Sequence, residues 1–242
     1  MHRIFRTSED IINNNIIVDG EDFHHLKNVL RIKKNEKLEI VINENLYIVE
    51  VSNLEKNRII TNILNYNEIE GEILNIHLYQ GLTKSDKFDF IIQKSVELGV
   101  KSITPLITNR VIVKLNNKNT EKKLVRFNKI SKQAASQSHR NYIPKVFEPI
   151  NLLDISLEKD ELGLLAYESS DNYTLKDILV NSKTKNIKII IGPEGGFDKD
   201  EISSLEEKGF NTISLGKRIL RTETAPITML SILQYEIGDI NR

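Results

Sequence analysis

The chain has 242 residues, 39% of them hydrophobic and 28% charged, with 34 Lys+Arg balanced by 34 Asp+Glu and no cysteine. That length admits one large or two small domains, and the lack of cysteine excludes disulfides, thiol nucleophiles and cysteine-ligated metals. No apolar window approaches the roughly 20 residues of a membrane-spanning helix, and the opening Met-His-Arg-Ile-Phe-Arg has no signal-peptide core, so the expected location is cytoplasmic.

In chain order, the first seventy residues read as mostly β. Residues 36–42 and 46–54 are rich in β-branched side chains, with Asn43-Glu44-Asn45 between them as a hairpin connection. Residues 58–64 make a third strand, and 19–31 carry a short helical pattern with Phe23, Leu26 and Leu30 on one face. These pieces fit a small barrel with one helix. Residues 65–72 are polar and mark a boundary, which divides the chain into domains 1–70 and 73–242.

From residue 73 the rhythm becomes strand-helix alternation. Strands are expected at 73–79, 102–108, 162–167, 187–191 and 212–215. Helices are expected at 86–98, ended by Gly99, at 120–138, and from about 223 to 237. Short apolar strands alternating with helices predict a parallel α/β sheet covered on both faces. The helix at 120–138 turns Leu124, Phe127 and Ala134 inward and Lys122, Lys123, Arg126, Lys129 and Lys132 outward.

The neutral total hides a charge pattern. Residues 1–72 carry 9 basic and 13 acidic side chains, residues 73–145 carry 14 and 4, and residues 146–242 carry 11 and 17. Between residues 110 and 145 ten basic residues meet a single acid, Glu121. Such a field suits a polyanion such as nucleic acid; a solvated helix face is the alternative.

Two glycine-punctuated loops follow expected strands. One is Ile-Ile-Ile-Gly-Pro-Glu-Gly-Gly-Phe at 189–197, the other Leu-Gly-Lys-Arg-Ile-Leu-Arg-Thr-Glu-Thr-Ala-Pro at 215–226. In a parallel sheet, ligands settle outside the carboxyl ends of strands. Gly192 lets the chain leave its strand, Gly195 and Gly196 permit positive φ, Pro193 stiffens the turn, and Asp198 with Glu201 forms a capping pair for the next helix. Neither phosphate-binding glycine pattern is present, and Glu194 in mid-loop repels a phosphate. A partly apolar, positively charged ligand such as S-adenosyl-L-methionine fits better. Tight turns alone, without a ligand, remain the plainer reading of the first loop. In the second, Gly216, Ile219 and Leu220 offer backbone groups and an apolar wall to an adenine, and Thr222 or Thr224 caps the final helix.

Six segments in order resemble one family: residues 1–6, His24-His25-Leu26 with Val29-Leu30-Arg31, residues 84–99, Gln-Ala-Ala-Ser-Gln-Ser-His-Arg at 133–140, residues 192–197 and residues 215–225. Together they are similar to the bacterial 16S ribosomal RNA uridine N3-methyltransferases of the SPOUT superfamily. The resemblance implies a PUA-like RNA-binding β-barrel followed by a SPOUT-type parallel sheet with a C-terminal trefoil knot, an exception to unthreaded connections. It also implies a homodimer, S-adenosyl-L-methionine as methyl donor, and 3-methyluridine at the position usually numbered 1498 of 16S rRNA in the small ribosomal subunit. One departure is Lys217, where many relatives carry proline, which leaves that loop less stiff.

Position and chemistry then assign roles. Tyr167, Glu168, Gly192, Pro193, Glu194, Gly195, Gly196, Leu215, Gly216, Ile219, Leu220, Arg221, Thr224 and Ala225 are the cofactor candidates. Arg221 favours the uracil anion, and Glu223 orients the base or accepts its proton. RNA contacts are expected from Arg3, Arg6, Arg31, Lys84, Arg126, Lys132, Ser136, Ser138 and Arg140, with a surface ion pair equally open for Arg31. His139 reads as a capping or packed histidine ahead of a catalytic one. No metal is expected, since His24-His25 has no third ligand at useful spacing. Three rivals remain: a SPOUT enzyme acting on another RNA nucleoside, a non-catalytic RNA-binding or ribosome-assembly protein, and a nucleotide-dependent enzyme.

Overall fold

The computed structural model describes residues 1–68, 71–111, 117–168, 174–181 and 184–240. Parts of the expected boundary at 65–72 and of the basic stretch from 110 to 145 lie outside them. The chain divides into two compact units, Met1–Gly71 with Ala135–Ile143, and Glu72–Ala134 with Pro144–Arg242.

The first unit is built on a six-stranded sheet of order β1-β4-β5-β6-β3-β2. Its strands are β1 (His2–Phe5), β2 (Ile11–Ile12), β3 (Asn15–Asp19), β4 (Lys37–Ile42), β5 (Asn45–Leu54) and β6 (Arg58–Asn67). The β4–β5 turn is tighter than the sequence suggests. Asn43 and Glu44 both take positive φ, 50° and 64°, the two-residue geometry whose twist matches a hairpin, so Asn45 already pairs with Ile42. Helix α1 (Gly20–His24) runs straight into a π-helical turn at His25–Val29. Phe23 and Leu26 from this segment fill the core with Ile16, Val18, Leu38, Ile40, Val49, Val51 and Ile59.

Segment Ala135–Ile143 belongs to this unit, where a single cut near residue 70 was expected. Its anchor is Arg3. The guanidinium donates to Glu39 at 2.7 Å, to the Arg140 carbonyl at 3.2 Å, to Asn141 Oδ1 at 2.7 Å and to the His139 carbonyl. His139, at φ 56°, places Nδ1 2.9 Å from the same Glu39 carboxylate. Burial opposes ionisation of Glu39, but the hydrogen bonds from Arg3 and His139 outweigh it and hold its carboxyl below the usual range.

The second unit carries a seven-stranded parallel sheet of order β10-β8-β7-β12-β11-β13, with β9 also on β8. The strands are β7 (Asn75–Gly81), β8 (Val100–Ile107), β9 (Lys145–Val146), β10 (Ile150–Asn151), β11 (Glu161–Ala166), β12 (Asn186–Ile191) and β13 (Asn211–Ile213). Helices α2 (Ser85–Glu97), α3 (Asn117–Gln137), α4 (Leu175–Asn181), α5 (Lys199–Glu207) and α6 (Thr224–Glu236) complete it, α3 ending in the segment assigned to the first unit. One sheet face packs Leu106, Leu165 and Ile190 against Phe197, Ile202, Leu205 and Phe210. Gly99, at φ 85°, ends the turn after α2. The capping pair is present at α5: Glu201 accepts from the Asp198 N–H at 2.8 Å.

One glycine is set by packing. A Cβ on Gly81, the last residue of β7, would lie 2.3 Å from the Pro193 nitrogen and 2.8 Å from the Gly192 carbonyl carbon. These neighbours are backbone and cannot rotate away. Gly81→Ala is expected to cost about 1–3 kcal/mol through overpacking, read as a Tm fall of about 2–4 °C per kcal/mol in thermal unfolding of a chain this size. For Glu39 the depressed folded value means stability that is full above the ordinary carboxylate range and lost as pH falls through it. Urea unfolding is expected to find Glu39→Gln less stable than the parent at pH 7, with the gap closing as the pH is taken below that range.

Candidate functional site

Strands β7, β12, β11 and β13 are parallel neighbours, so their carboxyl ends open on one edge. The segments leaving β11, β12 and β13 meet there around a cavity of about 820 Å³, within the usual range for a small-molecule site. Of the sequence-assigned cofactor residues, all but Gly195 and Thr224 line it: Tyr167 and Glu168 after β11; Gly192, Pro193, Glu194 and Gly196 after β12; Leu215, Gly216, Ile219, Leu220, Arg221 and Ala225 after β13. Arg221 is exposed and Ile219 is 84% exposed. Glu223 is absent from the lining and stands at the N-cap of α6.

The loops are shaped by different means. Gly196 has φ 68° and its N–H bonds the Pro193 carbonyl at 3.0 Å, closing a tight turn. Gly216 has φ 107° and donates to Ser214 Oγ at 3.2 Å. Gly195 does not take positive φ among the described residues; a Cβ there would approach Arg110 Cβ at 3.0 Å. Arg110 clasps this loop, donating to the Gly195 carbonyl at 3.1 Å and pairing with Asp198 at 2.5 Å.

Thr222 joins the two glycine loops. Its hydroxyl donates to the Gly192 carbonyl at 2.6 Å and accepts from Gln80 Nε2 at 3.1 Å. Thr222 and Gln80 are both buried. Neither threonine caps α6 through its side chain; Glu223 holds the N-cap position. Thr222 is used for the inter-loop bond instead.

The sequence reading missed Gln80, Thr222 as a tie, Arg110 and Lys87. Lys87 lines the cavity, and its ammonium lies 3.1 Å from Glu194 and 3.6 Å from Glu223. A lone lysine in the first turn of a helix carries no motif; only its place after β7, whose end faces the same edge, distinguishes it.

The expected RNA contacts divide. In the first unit, Arg3 is held by Glu39 with its side chain 7% exposed. Arg6 pairs with Asp10 at 2.7 Å and Asp19 at 2.6 Å. Arg140 is buried, with its guanidinium over the Tyr142 ring and bonded to its hydroxyl. These three have intramolecular partners that a phosphate would have to displace. Arg31 is exposed, and Ser136 and Ser138 are half-buried. In the second unit Lys84 is exposed, Lys132 half-buried, and Arg126 is bonded to Asp89, whose carboxyl burial pushes up against the pull of Arg126. Among the described residues no cluster of His, Asp and Glu is arranged to hold a metal, and no helix is long and apolar enough to cross a membrane.

Residues 70–234 match the model of an RNA methyltransferase domain, and residues 18–64 that of an RNA methyltransferase PUA domain. The chain is 40% identical over 235 residues to the ribosomal RNA small subunit methyltransferase E of Mesomycoplasma hyopneumoniae, covering 96% of this chain and 98% of the relative. It is 32% identical over 228 residues to the protein of that name from Bacillus subtilis, covering 90% and 89%. The crystal structure of a ribosomal RNA small subunit methyltransferase E from Neisseria gonorrhoeae bound to S-adenosyl methionine superposes with a TM-score of 0.88 at 34% identity, covering both chains fully.

Loss of the Thr222 hydroxyl removes the shortest bond to the Gly192 carbonyl and leaves that carbonyl and the Gln80 amide only the longer bonds at 3.3 and 3.4 Å. Thr222→Val is expected to cost about 0.5–1.5 kcal/mol, seen as a lowered Tm, whereas Thr222→Ser, which keeps the hydroxyl, is expected to stay closer to the parent.

Proposed function

The chain belongs to the RNA methyltransferase family of these ribosomal RNA small subunit methyltransferase E proteins, and from that premise we propose that it methylates N3 of a uridine in 16S rRNA, at position 1498, with S-adenosyl-L-methionine as donor. The observation that carries this reading is the cavity at the carboxyl edge of the parallel sheet, walled by both glycine loops and free of a phosphate-binding pattern. Leu215, Leu220 and Ala225 supply apolar wall and the glycines give access to backbone groups, while the charged lining is mixed, with Glu168 and Glu194 among Lys87, Lys217, Arg218 and Arg221. When bound, the donor supplies a methyl group on a sulfonium, open to in-line attack.

The chain's own residues do the rest. The uracil N3–H must lose its proton as the N3–methyl bond forms. Glu223, at the N-cap of α6 and 3.6 Å from the Lys87 ammonium, is the proposed acceptor of that proton. Arg221, exposed at the rim, offsets negative charge growing on the uracil oxygens. The target base must be unpaired or flipped to enter. Arg31, Lys84, Lys132, Ser136 and Ser138 are the proposed RNA contacts, with Arg126 joining them at the cost of its bond to Asp89. The same reading includes closure of the first sheet into a PUA-like barrel, a trefoil knot in the cofactor loops, a homodimer and a cytoplasmic location.

Purified protein incubated with small ribosomal subunits and labelled donor is expected to yield 3-methyluridine on nucleoside analysis; another methylated nucleoside, or none, overturns the reading. Glu223→Gln is expected to slow single-turnover methyl transfer by about 10²–10⁴, the usual contribution of a positioned acid or base. RNA affinity is expected to fall linearly in log–log plots against salt. A flat response removes the basic residues from the footprint.

A further inference from the structure

We propose that Lys87 is a catalytic residue of this site: its ammonium, held by Glu194 and Glu223, donates a hydrogen bond to a carbonyl oxygen of the target uracil beside N3. The inference rests on the uridine reading above. A lysine ammonium has three N–H donors and no acceptor. Glu194 lies within hydrogen-bond distance at 3.1 Å. Glu223 lies at 3.6 Å, inside ion-pair but outside hydrogen-bond range, and its Oε2 has no hydrogen bond. Lys87 lines the cavity, and its ammonium has more donors than one carboxylate takes.

Two carboxylates from separate segments hold the ammonium. A cation held in place before reaction does not have to reorient as charge develops. Loss of the N3 proton sends negative charge onto the two carbonyl oxygens flanking N3, and Lys87 meets one of them. The bookkeeping closes without further reagents. The N3–H bond breaks and its proton passes to Glu223, the N3–methyl bond forms, and the methyl–sulfur bond breaks with its electron pair staying on sulfur. Lys87 thus presents a donor to one carbonyl of the imide edge, with Glu223 next to it at 3.6 Å.

Three readouts test this. In single turnover at saturating donor and RNA, Lys87→Met is expected to slow formation of 3-methyluridine by about 10²–10³, the loss typical of one anion-stabilising donor, and Lys87→Arg is expected to recover at least tenfold. Donor affinity of the free protein, measured by calorimetry, is expected to change less than threefold in both variants. Combining Lys87→Met with Glu223→Gln is expected to lower the Tm by less than the sum of the single shifts, because the pair shares one interaction. An unchanged single-turnover rate overturns the proposal. So does a defect confined to KM for RNA, which marks a phosphate contact, or one confined to donor affinity, which marks a cofactor ligand. If the wild-type product is not 3-methyluridine, the uridine reading itself falls; if it is and Lys87→Met is unimpaired, only the role of Lys87 falls.

Discussion

The hydroxyl of Thr222 bonded to the Gly192 carbonyl is the contact on which the site depends. Parallel pairing brings the ends of β7, β12, β11 and β13 to one edge, but loops leaving strand ends are free to splay. Thr222 ties the loop before α6 to the loop after β12, and Gln80, at the end of β7, reaches both partners. The close approach of Gly81 to Pro193 seats the glycine loop against the end of β7. With these contacts made, residues more than a hundred positions apart, such as Lys87 and Glu223, come within ion-pair distance.

Charge in the sequence and charge at a surface are different quantities. Arg3, Arg6 and Arg140 read along the chain as available cations, yet each lies beside an acid, a carbonyl or a tyrosine, some of them near in sequence (Asp10, Tyr142) and others far from it (Glu39 beside Arg3). Arg3 and His139 are 136 positions apart in sequence, and no local pattern announces their bond. The exposed cations, Arg31 and Lys84, carried the same sequence signal as the buried ones. Burial is a property of the fold and has no one-residue signature.

Local physics was legible where it was strong. The alternation in β7 and the β4–β5 hairpin could be read because side chains on strands alternate between faces. Helix α2 could be read because its apolar stripe recurs at helical spacing and a glycine follows it. The capping pair at Asp198 and Glu201 was equally local. Short strands such as β1, β2, β9 and β10 were missed, since two to four residues hold too few side chains to establish a period. Gly195 and Gly196 were read as permitting positive φ. That describes Gly196 but not Gly195, while Gly216, read as offering backbone groups, does take positive φ. Gly81 drew no notice, because its need arises from a neighbour 112 positions away.

From its sequence alone, this chain declared an α/β alternation after residue 73, a β-rich start, two glycine loops at strand ends, and a family resemblance that the comparisons upheld. Each of those depends on residues close together in the chain, whose periodicity and turn chemistry act locally. Tertiary structure alone decided that Ala135–Ile143 packs with the first unit, which arginines are held by partners, and that Lys87 stands between Glu194 and Glu223. Those outcomes follow from long-range pairing of strands and side chains, which brings distant charges into one place and which no window of the sequence contains.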